Sequence, residues 1–165
     1  MARLGSLDLV ARAEAGVALI MRDETAPVGA NGLFPALLAA DGTPATVTLL
    51  GVDSRTWKKQ DWALRAKREN AAAAKSAGGA SPVTADEEAE KDAENLDRMV
   101  AMVKDWHGFE DDTDAPVPFT ADAVRALFTA NPTLYAQATL FVYRRADFFA
   151  RAKTPSAPAL LTSSV

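Results

Sequence analysis

The stretch Ala45-Thr46-Val47-Thr48-Leu49-Leu50-Gly51 alternates apolar and polar residues and is rich in β-branched side chains. That pattern predicts a strand with one face on a core. A second apolar run, Val17-Ala18-Leu19-Ile20-Met21, leads into polar Arg22-Asp23-Glu24 and predicts another strand. Two strands alone are marginal. They require a third strand, a flanking helix or another subunit. The long segments beyond Ser54 carry helical patterns. The expected fold class is therefore α+β: a small N-terminal β-sheet unit with a flanking helix, then a long helix and a mainly α-helical C-terminal unit.

Upstream of the first strand, Leu7, Val10 and Ala11 share a helical face. Ser6 to Ala15 is expected to form a short helix with Ser6 as cap and Gly16 as its end. Between the strands, Pro27, Gly29, Asn31, Gly32, Pro35, Gly42 and Pro44 give turn and loop chemistry. Within that loop, Leu33 to Ala40 fits a short strand or a helical turn. After the second strand, Asp53 or Ser54 can cap a helix that meets no proline or glycine until Gly78. Its face is only weakly apolar, and its alanine-rich second half has little to bury.

Gly78-Gly79-Ala80-Ser81-Pro82 is the clearest linker. Thr84-Ala-Asp-Glu87 after it has the form of a capping box. Leu96, Met99, Val100, Val103 and Trp106 recur at helical spacing, which predicts one helix running to about Trp106. An acidic loop from His107 to Pro118 follows. Thr120 caps a helix with Val124, Leu127 and Phe128. Asn131-Pro132 starts the last helix, whose stripe holds Leu134, Ala138, Phe141 and Phe148. The resulting division is a small α+β unit (1–53), a basic helix with a Gly/Ser/Pro hinge (54–83), a helical unit (84–153) and a disordered tail (154–165).

Composition narrows the chemistry. The chain has 165 residues, no cysteine, one histidine and a net charge of −4. Disulfide frameworks, thiolate zinc sites and cysteine nucleophiles are excluded. One histidine cannot build a two-histidine metal site within one chain. The sequence pI of about 5.0 argues against general nucleic-acid affinity. No run approaches the roughly 18 apolar residues of a membrane span, and Arg3, Asp8, Arg12 and Glu14 break up any signal-peptide apolar region. A soluble cytoplasmic protein without cofactor, metal or nucleic acid is expected.

The charge is striped along the chain: basic over 53–78, acidic over 84–98, acidic over 105–122, basic over 123–153. Such stripes are solvated helix faces that pair when the chain folds back, or a surface that docks a partner of opposite sign. Glu110-Asp111-Asp112-Thr113-Asp114 lacks the central glycine and the twelfth-position glutamate of a calcium loop, so a solvated loop is expected. His107 has no designated nucleophile beside it. The segment from Arg55 to Arg68 interleaves cations with Trp57 and Trp62. Packing of Trp57 onto the sheet, a protein-partner surface and a nucleic-acid contact are the three readings of it. On the second, Trp57, Trp62, Arg65 and Arg68 are the candidate partner-binding residues.

Three stretches in order resemble the tail assembly chaperones of long-tailed bacteriophages and related prophage or gene-transfer elements. The first is a strand leading into Pro44-Ala-Thr-Val-Thr-Leu-Leu-Gly51-Val-Asp53-Ser54 and a basic aromatic helix. The second is an Ala/Glu-rich helix ending Met99-Val-Ala-Met-Val-Lys-Asp105-Trp106. The third is an acidic loop leading to Pro116-Val-Pro118-Phe119-Thr120, the Asn131-Pro132 turn and a helix with Phe148-Phe149. The resemblance spans about residues 6 to 152, with residues 25–44 poorly matched. It implies a non-enzymatic chaperone in the host cytoplasm that binds the tape-measure protein and helps recruit tail-tube subunits, with self-association left open. The alternative is a structural virion protein of the tail or head–tail connector.

Overall fold

A computed structural model describes residues 8–76 and 84–149. The expected Ser6 cap, the Gly78–Pro82 linker and the tail from 154 lie outside the described residues. Helix α1, Leu9–Ala15, is capped by Asp8, whose Oδ1 accepts the Ala11 N–H at 2.9 Å. Gly16, at φ 80°, turns the chain directly into β1, Val17–Ile20. A side chain there would also crowd Thr48, since a Cβ would sit 3.1 Å from Thr48 Cγ2. Strand β2, Thr46–Leu49, pairs antiparallel with β1 in the register Val17 to Leu49 and Ile20 to Thr46. Residues 33–40 form neither a strand nor a helical turn. They make isolated bridges, Ala36 with Arg22 and Leu38 with Pro44.

Helix α2, Arg55–Ser76, starts on Ser54, which is fully buried and accepts the Trp57 N–H at 3.1 Å. Helix α3, Ala85–Met102, starts on Thr84, whose hydroxyl accepts the Glu87 N–H. It does not run to Trp106. The chain leaves the helix at Val103 and becomes β3, Val103–His107, antiparallel to β2. The sheet order is β1-β2-β3. The third strand that the first two require thus comes from the end of the long helix.

Val103 pairs with Leu49 and Trp106 with Val47 across a register shift at Thr48/Leu49. Lys104 is the extra residue of this β-bulge, so Val103 and Trp106 share a sheet face at a spacing of three. Gly108, at φ 78°, closes the strand; a Cβ there would lie 3.0 Å from Ala45 Cα.

Thr120 caps α4, Ala121–Ala130. Helix α5, Pro132–Val142, begins with proline at its first turn, but Asn131 makes no side-chain cap. Its amide nitrogen instead donates to Leu127 O, at the end of α4. The last helix is not continuous to Phe149. It breaks at Tyr143–Arg144, and α6, Arg145–Phe149, packs against α1. In a straight helix Phe141 and Phe148 would be offset by roughly 10 Å along the axis; the break brings their ring centroids to 5.4 Å.

One core collects Val47 and Leu49 from β2, Trp57 from α2, Met99 and Met102 from α3, Val124 and Phe128 from α4, and Phe141 and Phe148 from the C-terminal helices. Gln137 on α5 ties the chain just after β1 to this core. Its Oε1 accepts the Arg22 N–H at 3.0 Å and its Nε2 donates to Arg22 O at 2.9 Å, as a neighbouring strand would.

Candidate functional site

Trp57 and Trp62 are five residues apart on α2, so they point about 140° apart around the axis. Trp57 faces inward and is 8% exposed. Its ring meets Tyr143 edge-on at 5.3 Å, and the Arg98 guanidinium lies over it at 4.7 Å from the centroid. It belongs to the core and is not part of an accessible binding face. Trp62 faces outward and is 75% exposed. It is the most exposed large hydrophobic side chain among the described residues.

Around Trp62 the surface carries Lys58, Lys59 and Arg65 together with Asp61 and Glu69. Lys58 and Lys59 lie one turn earlier and make no ion pair among the described residues, and they line a shallow groove beside Trp62 with Ala63. Arg65 follows, holding Asp61 at 2.9 Å from the same helix. Asp61 is shared with Arg98, at 3.5 Å. Arg68, the remaining candidate, turns toward α3 and reaches Glu94 at 3.5 Å. It belongs to the seam between α2 and α3.

That seam is ionic. Lys67 Nζ lies 2.7 Å from both Glu90 and Glu94. The Lys67 hydrogen bond holds the Glu94 carboxyl below the usual glutamate range, and the two glutamates raise the Lys67 pKa. The basic and acidic stripes of the sequence therefore meet here by folding back on each other. They do so along half of α2 only, and leave Lys58, Lys59, Trp62 and Arg65 facing solvent.

The other candidate groups separate. His107 Nε2 lies 3.3 Å from Thr43 Oγ1, whose hydroxyl is 2.6 Å from Asp41 Oδ1. In the acidic loop, Asp111 Oδ1 accepts from the Thr113 N–H, the Thr113 hydroxyl and the Ala115 N–H. These bonds hold its carboxyl below the ordinary range, the Thr113 hydroxyl most of all. Among the described residues no cluster of histidine, cysteine or carboxylates could hold a metal ion, and no helix is long and apolar enough to cross a membrane.

Sequence reasoning missed the Arg98–Trp57 contact, in which Arg98 covers the indole that α2 turns toward the core. The 41-residue separation carries no local signal of it.

The fold and its surface define a small α+β protein with an exposed aromatic-basic helix face. A family model described as YdaY prophage protein matches residues 58–153, more than half of the chain, and the protein belongs to that family. The match begins one residue after Trp57 and covers the exposed face of α2, the ionic seam, β3 and the C-terminal helices. No curated protein and no solved structure matches the chain.

Proposed function

We propose that this prophage protein is a non-enzymatic tail assembly chaperone acting in the host cytoplasm. It binds the tape-measure protein through the exposed face of α2 and helps recruit tail-tube subunits. The observation that carries the reading is Trp62, left exposed on a long helix with Lys58, Lys59 and Arg65 around it. A holder of long helices needs apolar surface with reversible affinity, and an exposed aromatic anchor flanked by charged side chains supplies that. Prophage family membership and the order of the three resembling stretches support the same reading. The role requires no catalytic group, cofactor or metal.

Co-expression with the tape-measure protein of the same prophage tests it. Wild-type protein is expected to keep the tape-measure protein in the soluble fraction; Trp62→Ala and Arg65→Glu are expected to move it to the pellet. Unchanged solubility with both variants would overturn the placement of the surface. Finding the protein as a component of purified particles would overturn the chaperone role in favour of a structural virion protein.

A further inference from the structure

A second apolar feature lies in surroundings of the opposite charge. The loop after β1 and the loop after β3 meet at one end of the sheet, where Glu110 Oε2 accepts the Ala40 N–H at 2.9 Å. Between them is a dimple of about 300 Å³ lined by Leu37, Leu38 and Phe109, with Glu110, Asp111 and Asp114 beside them. Leu38 is 62% exposed at its edge. The dimple is at the small end of the range for binding pockets, room for one large side chain and not for a helix. No lysine or arginine occurs between Asp105 and Asp122, so the acidic rim is not neutralised from its own segment.

The Trp62 face is its complement. It offers one large protruding aromatic, flanked on one side by Lys58 and Lys59, cations without an ion pair among the described residues, and on the other by Asp61, Arg65 and Glu69. We propose that Trp62 of one copy seats in the Leu38–Phe109 dimple of a second copy, with Lys58 and Lys59 against Glu110 and Asp114. An aromatic anchor buries roughly 150–250 Å², and the opposed charges add orientation and speed of encounter. The knob and the dimple share no residue. The contact is therefore head-to-tail, and it leaves a pair with one free dimple, on the copy whose knob is seated, and one free knob, on the other copy. This inference stands on shape and charge and does not depend on the chaperone reading; where both hold, a client on Trp62 displaces the second copy.

Sedimentation velocity of the full chain tests it. At low salt the mean mass is expected to rise with concentration above the 17.5 kDa of one chain. It is expected to fall back toward that value at about 1 M salt, where charges are screened beyond ~3 Å. Trp62→Ala removes the knob. Leu38→Glu places a carboxylate in the acidic rim at a site too exposed to disturb folding, which a thermal melt checks. Each variant alone is expected to remain monomeric. Mixed together, they are expected to form a species of twice the monomer mass and nothing larger, because one retains the dimple and the other the knob. A monomeric wild type, a single variant that still associates, or a mixture that stays monomeric overturns the proposal. Leu38→Glu leaves Trp62 free, so its behaviour in co-expression with the tape-measure protein judges the chaperone reading separately.

Discussion

Glu14, on the last turn of α1, caps the first turn of α2 through Thr56. Its Oε1 accepts the Thr56 hydroxyl at 2.7 Å, while Oε2 accepts the Arg55 N–H at 2.8 Å. The first N–H groups of a helix have no partner within it, and a carboxylate also suits the positive end of the helix dipole. Helix α2 is therefore held by Ser54 from within and by Glu14 from a separate element.

The Thr56 hydroxyl, more than any other contact, lowers the Glu14 pKa from its ordinary 4.5. A lowered folded-state value means that the contribution is complete above the ordinary value. It is lost as pH falls through the depressed one. Glu14→Ala is expected to cost about 1 kcal/mol at neutral pH, the usual scale for losing a cap. Urea denaturation is expected to show that deficit shrinking in acid, as the wild type loses the same charge. A deficit independent of pH would mean that Glu14 acts through packing alone.

The α2–α3 seam responds to salt as well as to acid. Glu94 receives both Lys67 and Arg68, so Glu94→Gln weakens two contacts, whereas Arg68→Ala removes one. The partners are partly exposed, and exposed pairs contribute roughly 0.2–1 kcal/mol. Glu94→Gln is expected to fall near the top of that range and Arg68→Ala near the bottom. Both deficits are expected to narrow at about 1 M salt, where screening is strong. The Glu94 pKa is lowered, so its share is present above the ordinary 4.5 and fades as pH falls. Denaturation midpoints at two salt concentrations check both expectations.

Strands β1 and β2 and the starts of α3 and α4 were legible because their signals are local: an apolar run, alternation, the Thr84–Glu87 capping box, and Thr120 ahead of Val124, Leu127 and Phe128. Strand β3 was not. Its bulge at Lys104 separates the core-facing Val103 and Trp106 by three residues, and three is a helical spacing. The strand thus carried the periodicity of the helix before it, and no proline or glycine marks the exit from α3. The break at Tyr143 is hidden for a related reason. Phe141 and Phe148 fall on one stripe of a continuous helix, yet they touch only because the helix stops. At the candidate site, both tryptophans lie among cations in sequence. The setting of α2 on the core turns Trp57 inward, where Tyr143 and Arg98 meet it, and leaves Trp62 outside.

Arg98 is 18% exposed on its side chain, and its Nε has no hydrogen-bond partner. Its contacts are the Trp57 ring, Asp61 and the Asn95 side chain at 3.2 Å. Truncation to alanine would leave Trp57 uncovered and Asp61 with Arg65 alone. A loss of about 2 kcal/mol is expected, combining a partly desolvated cation–π contact with the packing of the stem. Arg98→Met keeps most of the packing and removes the unsatisfied Nε, so it is expected to lose less than alanine. Equal losses in denaturant titrations would assign the stability to the charge and not to the stem.

The two ends of the described chain meet on Gly51. Its N–H donates to Ala13 O at 3.0 Å, tying the exit of β2 to α1. A Cβ on it would lie 3.1 Å from Cγ and Cδ1 of Phe148 and 3.2 Å from the Cβ of Ala13. Both neighbours are buried, and a phenylalanine ring wedged between Phe141 and α1 cannot swing aside as an exposed side chain would. Gly51→Ala is therefore expected to destabilise by about 1–3 kcal/mol through overpacking. Its φ lies outside the left-handed region, so left-handed strain is not the cause. Phe148→Leu trims the ring that the new methyl would strike. The double variant is expected to be more stable than the sum of the two single losses predicts, by at least about 0.5 kcal/mol. Strict additivity would show that α6 does not press on Gly51, and that the methyl is resisted by α1 instead.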